Sequence, residues 1–252
     1  MLIYFTICFF VFGMILGSFF NVVGDRLSNG ESIVSPSSHC PHCKHKLTPI
    51  ELVPIFSYLL QGGKCKNCKK KIPIIHPIFE FGCGIVFALT YLSFGMSLEL
   101  LIALTFISML LIIIVSDINY MIIPDEVLIV TGILLFIEIA CTYGLEALGL
   151  AILNGLISFT VMFLIKQFGD FLFKKESMGG GDIKLLFFFG LIFGWEMAIV
   201  SIFIGSIIGL PISLLMLYKN SSHIVPFGPF LSIGAIIVLL LQIDFQVIIN
   251  VL

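Results

Sequence analysis

Seven stretches of about 20 mostly apolar residues run through this chain, each long enough to cross a lipid bilayer as a helix. They are 2–23, 74–94, 98–116, 127–143, 147–168, 197–218 and 227–249. An eighth run, 183–194, is short for a full crossing and reads either as a thin or tilted span or as a re-entrant piece packed inside the protein. Apolar residues make up 59% of the 252 and charged residues 11%, against about 25% charged in a soluble domain. One globular core of this size cannot hide so much apolar surface. The sequence therefore predicts an all-α polytopic membrane protein of about eight transmembrane helices.

The basic residues set its orientation. Arg26, Lys44, Lys46, Lys64, Lys66, Lys69, Lys70 and Lys71 fall between the first two spans, Lys166, Lys174, Lys175 and Lys184 around the start of the short run, and Lys219 before the last. If the short run crosses, all 13 basic residues lie on one side, while the turns 95–97, 144–146 and 195–196 hold none. Loops rich in Lys and Arg stay in the cytoplasm, so both termini are expected outside a bacterial cytoplasmic membrane. The first run lacks the basic start of a cleaved secretory signal, and no lipidation motif stands out.

Three regions follow: a first transmembrane helix over 1–23, a small cytoplasmic insertion over 24–73, and a membrane-embedded body over 74–252. The insertion carries eight basic and three acidic side chains. Within it, Cys40-Pro-His-Cys43 and Cys65-Lys-Asn-Cys68 form two CxxC pairs separated by 21 residues. Each pair can grip a metal from a tight turn, and together they complete a tetrahedral thiolate shell suited to structural zinc. A reducing cytoplasm disfavours disulfides. Free thiols, redox chemistry, or substitution by His39, His42 or His45 remain the other readings. Cys8, Cys83 and Cys141 lie inside apolar runs and read as small buried hydrophobes. The spacings Gly13–Gly17 and Gly205–Gly209 suit close helix packing.

Two aspartates sit at the edges of apolar runs, where ionisable groups are costly and often functional. Asp117 follows the run ending at Ser116. Asp182 follows Met178-Gly179-Gly180-Gly181. With eight crossings, Asp117 ends one helix and Asp182 begins another on the same cytoplasmic face. Two such carboxyl groups a few ångströms apart tend to share one proton: one acts as base toward water while the other polarises a carbonyl. Helix dipoles favour Asp182 as the group that ionises first, with Asp117 keeping the proton. Gly179, Gly180 and Gly181 leave open backbone against which an extended peptide can lie. Asp125, after Ile123-Pro124, reads as the start and cap of the next helix. Glu80 and Glu138 stay undecided between internal partners and function, and His76 and His223 read as interfacial residues.

Several motifs, in order, resemble the type IV prepilin peptidase family, membrane aspartyl proteases of the GxGD class. They are Gly17-Ser-Phe-Phe-Asn-Val-Val-Gly-Asp-Arg26, the two CxxC pairs, His76-Pro-Ile-Phe-Glu80, Ser116-Asp117 through Pro124-Asp125, Met178-Gly-Gly-Gly-Asp182-Ile-Lys184, and Pro226-Phe-Gly-Pro-Phe230. The resemblance implies cleavage of the short basic leader of prepilins and pseudopilins at the cytoplasmic membrane face. It also implies methylation of the new amino terminus with S-adenosylmethionine. By matching position, Asp117 and Asp182 would be catalytic, Gly179, Gly180 and Gly181 would form the active-site loop, and Cys40, Cys43, Cys65 and Cys68 would bind zinc. Prepilin-like substrates and the lipid bilayer are the expected partners; nucleic acid is not. The rival reading is a proton- or cation-coupled transporter using the same aspartates. A second rival is an inert scaffold that recruits a cytosolic partner through its zinc segment.

Overall fold

A computed structural model describes residues 1–174, 179–219 and 225–242. Lys175, Met178, His223 and the end of the last apolar run lie outside the described residues. The chain divides into two compact units, Met1–Met96 and Ser97–Leu252.

The first unit is a helical pair with an irregular insertion. Helix α1 (Leu2–Ser28) runs beyond the expected boundary at residue 23. Its last turn is closed by the buried Arg26, whose Nη1 donates to the carbonyls of Ser32 at 3.1 Å and Ile33 at 3.4 Å. In the insertion a 3-10 turn (Pro49–Leu52) precedes the short α2 (Phe56–Leu60). Helix α3 (Ile75–Phe94) then returns along α1. A Cβ on Gly17 would lie 2.8 Å from the Cβ of Cys83, so the glycine is what lets these helices approach. Cys83 is fully buried in that contact, as its apolar setting predicts, whereas Cys8 and Cys141 face outward. They lie on helix faces that a bilayer would cover, where a small apolar thiol is equally at home.

The second unit is built around α4 (Leu98–Tyr120). Ser97 caps it by accepting the Leu100 amide at 3.2 Å, and 61% of its most apolar stretch is buried, against 17% for α6. A helix apolar on all sides belongs in the middle of its neighbours. Around it stand α5 (Asp125–Tyr143), α6 (Leu145–Phe173), α7 (Gly180–Phe193), α8 (Trp195–Lys219) and α9 (Gly228–Leu241). Helix α4 packs on α5 and α9, and α7 on α6 and α8. Phe106 of α4 meets Phe189 and Phe193 of α7 edge-on, at centroid distances of 6.0 and 5.4 Å. At Gly205 a Cβ would press on the Phe230 carbonyl of α9 at 2.6 Å, which bears out the packing reading of that glycine.

Among the described residues, six helices are long and apolar enough to cross a membrane: α1, α3, α4, α5, α6 and α8. Helices α7 and α9 are apolar but have 14 described residues each. Fourteen residues rise only about 21 Å, short of a hydrocarbon core of about 30 Å. Packing of α7 against α6 and α8, with Leu185, Leu186 and Phe189 buried, makes that shortness tolerable, because the helix is enclosed in protein along its middle.

Candidate functional site

Asp117 does not end its helix as the apolar pattern suggests. Helix α4 continues for three residues and stops where Met121 turns left-handed (φ 56°), its amide donating to the Asp117 carbonyl at 2.9 Å. No glycine or proline intervenes to stop it earlier. The Asp117 side chain is buried. It is held from α9: the Gly228 amide donates to Asp117 Oδ2 at 2.9 Å. Gly228 is the first residue of its helix, so that amide has no partner within the helix and is free to bind a carboxylate. A Cβ there would lie 2.8 Å from Asp117 Oδ2 and 3.2 Å from Cγ. Only glycine brings its amide this close. The Pro226–Phe230 motif had marked the region, but a contact made by a side-chain-free residue leaves no chemical signature in sequence.

Asp182 is the third residue of α7, in the first turn as expected. Asp117 and Asp182 lie within electrostatic reach, the charge of one acting on the other. The three glycines before Asp182 divide by role. Gly181 sits tight, since a Cβ there would come 3.0 Å from the Ile123 Cβ in the α4–α5 connection. Gly180 opens on empty space, and Gly179 is extended (φ −65°), a conformation open to any residue.

A second contact joins the same two segments. Lys184 Nζ donates to Asp125 Oδ1 at 2.6 Å and Oδ2 at 2.9 Å. Asp125 does begin α5, but its side chain makes no cap; the carboxylate goes to Lys184 instead. A cation in the first turns of a helix opposes the helix dipole, and Asp125 supplies the missing counter-charge. Residues two apart on a helix do not face each other, so Lys184 leaves Asp182 unneutralised. Beside this pair a groove of about 590 Å³ runs between α5, α6 and α7, lined mainly by apolar side chains such as Leu128, Phe159 and Phe187. Glu138 has an internal partner: it accepts from Thr105 Oγ1 at 2.8 Å.

The four cysteines of the first unit converge, their sulfurs all within 4.8 Å of one another. Cys40 and Cys68 sulfurs are 3.8 Å apart and Cys43 and Cys65 sulfurs 3.9 Å, close to the ~3.8 Å edge of a tetrahedron with Zn–S bonds near 2.3 Å. The two pairs sit on matching turns. Cys40 donates its amide to His45 and receives Lys44; Cys65 does the same with Lys70 and Lys69. Lys44 (φ 57°) and Lys69 (φ 60°) both take the left-handed conformation, so each turn coils back over its sulfurs. The amides of Cys43 and His42 hold the Cys40 thiol down at about 6. The Lys70 amide lowers Cys68, but burial and the other sulfurs outweigh it and push that thiol up to about 11. Four thiols crowded together resist ionising jointly, and a dication removes that conflict. The histidines are engaged elsewhere, His39 near the Ser37 carbonyl at 2.9 Å and His45 near Glu51 at 3.4 Å. The donor set fits a four-thiolate metal site.

The fold and these clusters define a multi-pass helical membrane protein with a buried aspartate beside a second one, and a four-cysteine insertion. Residues 11–94 match the profile of the bacterial peptidase A24 N-terminal domain, and residues 104–214 that of the type IV leader peptidase family. The prepilin leader peptidase/N-methyltransferase of Bacillus subtilis is 38% identical over 201 residues, 79% of this chain and 78% of that one. Proteins of the same name from Stutzerimonas stutzeri and Pseudomonas aeruginosa are each 30% identical, covering 94% of this chain and 90% of theirs. No solved structure matches. The chain belongs to the type IV leader peptidase family.

Proposed function

We propose that this chain is a prepilin leader peptidase that cleaves with Asp117, Asp182 and one water. The observation that carries the reading is the placement of the two residues, Asp117 in the last turn of α4 and Asp182 in the first turn of α7, where Gly181 meets Ile123 six residues after Asp117, in a chain whose relatives are named for this activity. Asp117 Oδ2 accepts the Gly228 amide, so the shared proton belongs on Asp117 Oδ1 or on Asp182. The ionised member takes a proton from water as the oxygen attacks the scissile carbonyl carbon. The protonated member donates to the carbonyl oxygen. When the tetrahedral adduct collapses, one of its hydroxyls returns its proton to the pair, the C–N bond breaks and the departing amine takes the proton first drawn from water, leaving the pair with one proton again. Gly180, open to space, leaves room for substrate backbone beside Asp182.

The distribution of basic residues supports a cytoplasmic insertion, external termini and a reaction at the cytoplasmic membrane face. Cys40, Cys43, Cys65 and Cys68 would hold zinc, which supplies a structural cross-link. Methylation with S-adenosylmethionine is supported by the relatives' names. The apolar groove beside Lys184 does not suit a charged methyl donor.

The test is to incubate the purified, reconstituted protein with a panel of prepilins, with and without methyl donor, and to weigh the products. A product shortened by the leader, and heavier by one methyl only when donor is present, is the expected result. Intact substrate throughout sends the reading back to an ion-coupled transporter.

A further inference from the structure

The middle of the four-cysteine insertion is not polar. Between the two CxxC turns, the 3-10 turn and α2 present Ile50, Leu52, Val53, Phe56, Leu59 and Leu60 outward, with Ile50 73% and Leu60 81% exposed. The only charge in this stretch, Glu51, is turned away: its Oε2 accepts the Thr48 amide at 2.9 Å and the Thr48 hydroxyl at 2.8 Å. Six large apolar side chains outward within 11 residues form a patch that water does not favour.

A second observation fixes where this patch lies. The Ile55 amide donates to Glu80 Oε2 at 2.9 Å. Glu80 is buried on α3 as the sixth residue of that helix, about 7.5 Å from its start. Helix α3 is one of the six candidate spans. Residue 55 is therefore tied to the level at which that span enters the bilayer. Ile55 takes φ 60° at this point, rare for a β-branched residue, so the backbone is bent to reach the carboxylate. Outward-facing Ile74, Ile75 and Ile78 extend the apolar surface along α3. Exposed lysines stand on either side in sequence, Lys44 and Lys46 before the patch, Lys64 and Lys66 after it. An apolar face edged by ammonium groups matches acyl chains beneath anionic headgroups.

We propose that residues 49–60 are an interfacial segment that inserts into the headgroup–acyl boundary of an anionic bilayer, on the side where the insertion lies. Glu80 sets its depth and the flanking lysines hold the headgroups. The metal-binding turns are then lashed to the membrane surface rather than free above it.

The test uses fluorescence, because the chain has a single tryptophan. In the full-length Trp195→Phe protein, Leu60→Trp places a reporter in the patch, with Leu59→Trp as a second position should the first misfold. Each is reconstituted in phosphatidylethanolamine–phosphatidylglycerol vesicles carrying bromine near the top of the acyl chains. The expected result is blue-shifted emission, strong quenching by brominated lipid and protection from acrylamide. Quenching by acrylamide without response to bromine puts the segment in water and overturns the proposal. Protection from both quenchers means that other parts of the protein cover the patch, which overturns it equally. Bromine quenching that is undiminished in zwitterionic phosphatidylcholine vesicles, which carry no net charge, removes the role given to the lysines.

Discussion

Lys184 and Asp125 form a two-oxygen ion pair, 2.6 and 2.9 Å long, between α7 and the first residue of α5. With the Gly181–Ile123 contact, it clasps the turn that carries Asp182 to the connection that follows Asp117. Both partners are about half exposed, and exposed pairs contribute only about 0–1 kcal/mol to stability. Its value is positional. Asp125→Asn and Lys184→Gln are expected to lower kcat about 10- to 100-fold, as small misplacements of reacting groups do, with thermal stability nearly unchanged. The double variant should be no worse than either single one, and the exchange Asp125→Lys with Lys184→Asp should restore part of the rate. Unchanged kcat in both single variants contradicts this.

Gly228 is expected to tolerate no side chain. Gly228→Ala forces a methyl against the Asp117 carboxylate, and loss of a donor at a reacting group costs about 10²–10³ in kcat. Cleavage kinetics of the folded variant check it; wild-type turnover would show that the amide contact is dispensable.

Removal of metal should act on the insertion first. Chelation, or Cys40→Ser with Cys65→Ser, is expected to expose residues 40–71 to proteolysis and fast amide exchange, since closed thiolate sites supply folding energy directly. Exchange at α4 and α7 should change little. Equal protection with and without metal counts against the four-cysteine site.

Glu80→Ala should release Ile55 from its strained turn. Amide exchange over residues 55–60 is expected to rise, because the buried acceptor is lost. No change in that segment's protection argues that the 2.9 Å bond does not hold it.

The spans, the aspartate pair and the cysteine quartet were legible because each leaves a chemical mark: long apolar runs, charge at their edges, paired thiols. What stayed hidden depends on contacts distant in sequence. Asp125 looked like a helix cap, and only the fold brings Lys184 to it, 59 residues on. The Asp117–Gly228 contact spans 111 residues and uses a backbone amide. The apolar patch from Ile50 to Leu60 was masked by the lysines around it, which make the whole insertion read as polar. Helix α4 overran its apolar stretch because Ile118, Asn119 and Tyr120 do not break a helix, whatever their polarity.

The central claim is that Asp117 and Asp182 act together on one water. It is met most directly by measuring leader cleavage with Asp117→Asn and Asp182→Asn, each reconstituted and checked for native helix content and thermal stability. Loss of a catalytic acid or base of this kind costs about 10²–10⁴ or more in rate. Each folded single variant is predicted to lose cleavage by at least that range, and the double variant to be no slower than the worse single one. Near-normal cleavage by either folded variant contradicts the account.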